Sequence, residues 1–298
     1  MIRFVTTKLS IAAAAVFVAA IAAVPAGLSE PSAAAVAPPL PSAMASTGDS
    51  ITRAFDVGSC CVFQDAPQYS WSTGSAKAVQ SHYRRLLARN PAISGHATNV
   101  AQTGAKMIDL DRQLVRAAAS RPQYVTVLLG ANDVCTSTRP AMTSPVVFQN
   151  QFSSALTRFT AARPNAKILV GSIPNVYQLW SVLHTNPAAR TTWQRFNICQ
   201  GLLNAANTEA DRQAVLSRER ALNAALARVC AHFTQCRWDR LATFGVAFTA
   251  ADVSTVDYFH PSVKGQNRLA AVSWATGYWP ARDRRTTSAD GGRPDSAQ

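Results

Sequence analysis

The sequence predicts an α/β protein built on a mainly parallel sheet with helices on both faces. Three observations carry this. Short apolar runs alternate with amphipathic stretches along the chain, which is the pattern of repeated strand–helix units. The two strongest runs, Tyr124–Leu129 and Lys167–Ile173, are continuous rather than alternating, as expected of strands buried on both faces. The chain has 298 residues, of which 48% are hydrophobic and 15% charged. That is enough to bury a full core, and it excludes a largely disordered chain.

The elements follow in order. Arg3 and Lys8 precede an apolar run from Ile11 to Val24, and Ala-x-Ala patterns follow up to Ala37. The run is shorter than the ~20 residues of a membrane span. Residues 1–26 therefore read as a signal peptide, cut somewhere in 26–37, and an uncleaved anchor is the alternative. Residues 27–42 read as a linker rich in Pro, Ala and Ser. Residues 43–280 read as one domain. Its first strand is the weak run Ala43–Ser46, before a Gly turn. A helix is expected over 76–89, with Val79, Tyr83, Leu86 and Leu87 on one face. A short strand is expected over Thr98–Ala101, then a helix carrying Met107, Leu110, Leu114 and Ala118. After the strand at 124–129 comes a helix over Phe148–Ala162. After the strand at 167–173 comes a long helix over 209–233, and a last one over 264–276. Residues 281–298 lack apolar residues beyond Ala and read as a disordered tail.

The six cysteines (60, 61, 135, 199, 230, 236) agree with export, where an even count reads as disulfides. Cys230–Cys236 is the best single pair, closing a short loop after a helix. Cys60 and Cys61 are adjacent and are expected to bond to different partners, with a vicinal bridge as the alternative. No CxxC or HxxxH spacing suggests zinc. The net charge is +13 with a pI near 10.1. Only five of the 29 basic residues are Lys, and the Arg residues are scattered, with no run longer than a pair such as Arg284-Arg285. Nucleic-acid recognition wants a basic stripe, so the charge does not argue for it. Attraction to an anionic surface stays open.

In a parallel sheet the chemistry gathers at the carboxyl ends of the strands. Four segments follow the apolar runs there. Gly48-Asp49-Ser50 follows the first strand, Gly104 closes the segment after the second, and Gly130-Ala131-Asn132-Asp133 follows the third. Asp257-Tyr258-Phe259-His260 precedes the last helix. A serine hydroxyl needs a base before it can attack. Of five His (82, 96, 184, 232, 260), only His260 has an acid three residues upstream. That acid can fix the ring tautomer while the other ring nitrogen faces serine. An Asn after a buried strand can aim its amide at a developing oxyanion. Each segment also has a plain reading: an N-cap for Asp49-Ser50, a surface turn for 257–260, an Asn-Asp turn for 132–133.

Together and in this order, the four segments resemble the SGNH (GDSL) hydrolase family over roughly residues 43–279. The resemblance implies a three-layer α/β/α sandwich, flavodoxin-like, with about five parallel strands. It implies Ser50 as nucleophile, His260 as general base and acid, and Asp257 as the group that orients His260. The oxyanion hole would be Ser50, Gly104 and Asn132. No metal or cofactor is required. The implied substrate is an ester, lipid or acylated carbohydrate, split through an acyl-enzyme. The expected protein is a secreted lipase or carboxylesterase, favoured as a monomer and without a nucleic-acid partner. A carbohydrate or cell-wall O-acetyl esterase is the alternative, and a non-catalytic cell-surface binding protein on the same fold is the second. Two stretches, 53–75 and 175–207, match no block and are expected to wall the site. In the second, Tyr177, Trp180, Trp193 and Phe196 could meet an acyl chain or a sugar face, or form a structural layer under a long loop.

Overall fold

Five strands form one sheet: β1 (Met44–Gly48), β2 (Ala97–Asn99), β3 (Tyr124–Leu128), β4 (Lys167–Val170) and β5 (Cys236–Trp238). Their order is β2-β1-β3-β4-β5, and every neighbouring pair is parallel. This is the doubly wound flavodoxin-like order. The computed structural model describes residues 37–280. The expected signal segment, most of the linker and the C-terminal tail lie outside the described residues.

The first four strands fall where the apolar runs predict them. β5 has only three residues, none of them fully buried, so it carries no apolar signal of its own. The helices are α1 (Ser50–Arg53), α2 (His82–Leu87), α3 (Leu110–Ala119), α4 (Ala131–Val134), α5 (Pro145–Ala162), α6 (Tyr177–Leu183), α7 (Pro187–Arg195), α8 (Gln200–Leu203), α9 (Glu209–Cys230) and α10 (Val263–Thr276).

Alternation along the strands builds two cores. Ala45, Val125, Val127, Ile168 and Val170 pack with Leu110 and Leu114 of α3, Phe152 and Leu156 of α5, and Leu222 and Leu226 of α9. Met44, Tyr124 and Leu169 point the other way, onto Leu86 of α2, Trp274 of α10 and Trp279. The second face also holds a polar seam. Ser46 Oγ lies 3.1 Å from Thr73 Oγ1, and Thr126 Oγ1 lies 2.6 Å from Ser72 Oγ. His82 is fully buried between Tyr124 and Ser273. Burial lowers its pKa to about 3, so the ring is neutral. Ser273 donates its own proton to Leu269 C=O. Nε2 of His82 therefore donates to Ser273, and Nδ1 accepts from the Tyr124 hydroxyl.

That seam explains one difference from the sequence. The helix expected over 76–89 is only His82–Leu87, capped by Ser81. Residues 72–73 are held to the strands by side-chain bonds, and a Cβ on Gly74 would sit 2.3 Å from Ser70 O. The chain cannot begin the helix until it has left the sheet.

All six cysteines are paired, as Cys60–Cys61, Cys135–Cys199 and Cys230–Cys236. Cys230–Cys236 is as expected. Cys60 and Cys61 pair with each other, against the expectation of separate partners. The tight turn at 58–61, closed by Cys61 N–H on Gly58 C=O at 2.9 Å, lets neighbours meet. Cys135–Cys199 spans 64 positions. Closing a loop that long stabilises the fold by about 4 kcal/mol in the chain-entropy model. The double Cys135→Ser, Cys199→Ser variant should therefore melt roughly 10 °C lower, which calorimetry on oxidised protein can check.

Candidate active site

The chain leaves β1 toward one side of the sheet and returns to β3 on the other. Ligands bind at such a switch point, beyond the strand ends. The loops after β1 and β3 carry Ser50 and Asn132.

Ser50 opens α1 directly after β1. Gly48 makes the turn with φ 150°. A Cβ there would sit 2.4 Å from Thr52 Oγ1 and 2.5 Å from Leu128 O, so only glycine fits. A side-chain amide grips the same residue: Gly48 N–H donates to Gln113 Oε1 at 2.8 Å, and Gln113 Nε2 donates to Gly48 C=O at 2.9 Å. Gln266 of α10 donates to Ile51 C=O at 2.7 Å. Asp49, not Ser50, is the N-cap, accepting from Ile51 N–H at 2.9 Å. The hydroxyl of Ser50 is thus released from capping and faces His260.

Ser50 Oγ lies 2.7 Å from His260 Nε2. His260 Nδ1 meets Asp257 Oδ2 in a short contact. The other Asp257 oxygen accepts from Phe259 N–H at 2.9 Å and His260 N–H at 3.0 Å. Burial alone would raise the Asp257 pKa. The hydrogen bond and charge of His260, with the two backbone N–H groups, outweigh it and hold the carboxyl below its ordinary range. Tyr258 within this turn has a left-handed φ of 55°, and its C=O is held by the Trp193 indole at 3.0 Å.

Gly104, φ 81°, sits in a turn closed by Ala105 N–H on Gln102 C=O at 3.0 Å. Gln102 N–H donates to Gly48 C=O at 3.1 Å, and Asn132 Nδ2 donates to Ala105 C=O at 3.0 Å. The turn is therefore tied both to the Ser50 loop and to Asn132. One amide hydrogen of Asn132 remains beyond this bond. The N–H groups of Ser50 and Gly104 donate to no acceptor among the described residues. Asp133 turns away from the site and clamps its support, accepting from Met107 N–H at 2.9 Å and Thr143 Oγ1 at 2.6 Å.

Nothing in the sequence singles out Asp56. It is buried in the loop after α1, holds Phe63 N–H, and reaches the Asp257–His260 pair. Burial and the Asp257 charge raise its pKa. Ligand atoms of Asp56, Asp257 and His260 lie within 4.8 Å of one another. Both ring nitrogens of His260 are engaged, by Asp257 and Ser50, so no imidazole nitrogen is left for a cation.

Two depressions meet at His260. The first is an apolar cleft, open to solvent, with Ile51, Val176, Leu179, Val182, Phe248 and Phe259 among its walls. Its floor segment after β4 is held from α9. Asn223 accepts from Ile173 N–H at 2.8 Å, and buried Glu219 accepts from Val176 N–H at 3.2 Å. The second depression is lined by Asn132, Phe55, Phe63, Phe196, Phe259 and the Cys135–Cys199 bridge, among others. Stretch 53–75 thus walls the site as expected. Stretch 175–207 does so through Val176, Leu179, Val182 and Phe196. Trp193 is buried, Trp180 packs under Arg212 at 3.5 Å, and the Tyr177 hydroxyl donates to Glu209 at 2.8 Å, so these three belong to the scaffold.

Asp49 carries a pH prediction. Burial pushes its pKa up to about 7, with bonds from Ile51 N–H and the charge of His260 opposing, and Oδ2 has no hydrogen-bond partner among the described residues. The unfolded chain ionises near 4, so the fold binds the extra proton between pH 4 and 7. This group's contribution is therefore most favourable below pH 4 and declines as pH rises to 7, by about 4 kcal/mol at most. Denaturant midpoints of Asp49→Asn at pH 5 and 7.5 should differ less than those of the parent.

The sequence model of the GDSL-like lipase/acylhydrolase family matches residues 47–268, a span holding Ser50, Gly104, Asn132, Asp257 and His260. No curated protein sequence matches the chain. Among solved structures it is similar to one described as a GDSL-like lipase from Parabacteroides merdae ATCC 43184. That pair has 16% identity over 80% of this chain and 96% of the other, with a TM-score of 0.51. It is also similar to phospholipase A1 from Streptomyces albidoflavus NA297, at 18% identity over 76% and 97% of the two chains and a TM-score of 0.48. An acetyl xylan esterase aligns at 14% identity over 78% and 98%, with a TM-score of 0.47.

Proposed function

Because the chain belongs to the GDSL-like lipase/acylhydrolase family, whose members hydrolyse ester bonds, we propose that Ser50, His260 and Asp257 form its catalytic triad and that its preferred esters carry an acyl chain longer than acetyl. The observation that carries the triad is the unbroken relay from Ser50 Oγ to His260 Nε2 at 2.7 Å and from His260 Nδ1 to Asp257.

Ser50 O–H donates to Nε2, and Nδ1–H donates to Asp257. As Oγ attacks the ester carbonyl, Nε2 takes its proton, and ionised Asp257 stabilises the imidazolium. The carbonyl oxygen becomes an oxyanion in reach of Ser50 N–H, Gly104 N–H and the remaining hydrogen of Asn132 Nδ2. His260 returns the proton to the leaving alcohol. Water, deprotonated by the same nitrogen, then releases the acid from the acyl-enzyme. A fluorophosphonate probe should label Ser50 and nothing else, as peptide mass mapping would read.

The apolar cleft beside His260 supports the acyl preference, since a chain laid against Leu179, Val182 and Phe248 leaves water. A chromogenic ester series from acetyl to decanoyl tests it. The expected kcat/KM rises beyond acetyl. A maximum at acetyl, with release of acetate from acetylated xylan, would instead select the carbohydrate esterase reading. Export is also part of the proposal. Three disulfides and no free cysteine among the described residues support an oxidising compartment.

A further inference from the structure

Two loops from opposite sides of the site meet above it. One follows α1 and presents Val62 and Phe63, which are 44% and 60% exposed. The other follows α7 and presents Phe196, 48% exposed. The rings of Phe63 and Phe196 lie 5.6 Å apart, inclined at 58°. Each loop is braced. The first has the Cys60–Cys61 bridge and the Phe63 N–H bond to Asp56, and the second has the Cys135–Cys199 bridge. Phe63, Asn197 and Cys199 hold left-handed φ values of 54°, 53° and 46°. Such conformations persist only where the surroundings enforce them. The apolar tips are therefore held out into water by structure that works to keep them there.

The second loop is flanked by basic residues, whereas the acids of the first are buried, as Asp56, or paired, as Asp65 with Arg53. Between Asp133 and Glu209 the chain has no carboxylate at all, while Arg190 and Arg195 are exposed on α7. Arg195 lies over the Phe196 ring, 5.5 Å from its centroid. We propose that Val62, Phe63 and Phe196, with Arg190 and Arg195 behind them, form a docking surface for an anionic lipid interface, which seats the mouth of the site on aggregated acyl lipids. This rests on the reading of the site as an ester hydrolase for acyl chains. The occupant follows from the chemistry. Phenyl and isopropyl groups have no polar handle, and two rings inclined at 58° offer a sugar no flat platform. Apolar tips with a basic flank match a hydrocarbon boundary under anionic head groups.

The test uses full-length Ser50→Ala protein, so that lipid is not consumed, and vesicles of phosphatidylglycerol and phosphatidylcholine against phosphatidylcholine alone. The expected result is partitioning that favours the anionic vesicles and weakens with salt. Phe63→Ser with Phe196→Ser should lower the partition coefficient by about 100-fold, from the apolar area withdrawn. Val146→Ser, which removes a more exposed apolar group elsewhere (70% exposed), should change it less than twofold. If the double variant does not fold, Phe196→Ser alone should still lose about tenfold. Unchanged partitioning of the double variant, an equal loss in Val146→Ser, or binding to insoluble xylan but not to vesicles would each overturn the proposal. The two readings fail separately. An active chain that cleaves a soluble ester but ignores vesicles refutes only the docking surface. Ser50→Ala protein that still cleaves the soluble ester refutes the site.

Discussion

Replacing Ser50 by Ala is expected to lower kcat on a soluble ester by about 10⁶-fold. The size follows from the geometry. Ser50 Oγ is the atom 2.7 Å from His260 Nε2, so its removal leaves the base with no nucleophile to activate. The oxyanion donors stay in place, and a residual acceleration of ~10³ over water should survive. Stability should barely change, because Asp49 rather than Ser50 caps α1. Phosphonate labelling should vanish with the activity. Ester hydrolysis within tenfold of the parent would remove Ser50 from the reaction.

Replacing Asp257 by Asn should lower kcat by about 10⁴-fold, the effect of reversing the histidine tautomer. The reason lies in which oxygen does what. Oδ1 accepts from Phe259 and His260 N–H, and Asn keeps that oxygen, so the turn should persist. The amide nitrogen then replaces Oδ2 and offers His260 Nδ1 a hydrogen. Nδ1 becomes the acceptor, Nε2 carries the proton, and the ring cannot accept from Ser50. Asp257→Ala should be similarly inactive and also less stable, since it leaves two backbone donors unpaired. Steady-state rates with far-ultraviolet dichroism separate the two effects. An Asn variant within tenfold of the parent would show that something else orients the imidazole. Asp56, buried against the same pair, would be the first residue to replace next.

Most of the frame was legible in the sequence because it is local. Runs such as Tyr124–Leu129 announce buried strands, and α5, α9 and α10 lie within a few residues of their periodic stripes. The helix over 76–89 was too long because periodicity does not register Ser72 and Thr73 bonding to β3 and β1. β5 was missed because a three-residue strand at the sheet edge needs no apolar run. Helices α6, α7 and α8 were not assigned, and their aromatics could not be sorted between scaffold and site. Trp193 reads from sequence like Phe196, yet one is buried and holds Tyr258, and the other stands in water over the mouth.

The sequence by itself determined the fold class and singled out the residues proposed to do chemistry. The buried apolar runs, Ser50, Asn132 and the Asp257–His260 spacing rest on short segments whose meaning is carried by neighbours in the chain. The tertiary structure decided what surrounds them. It brought Asp56 to the Asp257–His260 pair, joined Cys60 to Cys61 and Cys135 to Cys199, opened an apolar cleft beside His260, and set Phe63 against Phe196. The physical reason is separation along the chain. Phe63 and Phe196 meet only after the loops following α1 and α7 are each pinned in place, and no periodicity records a contact between residues so far apart.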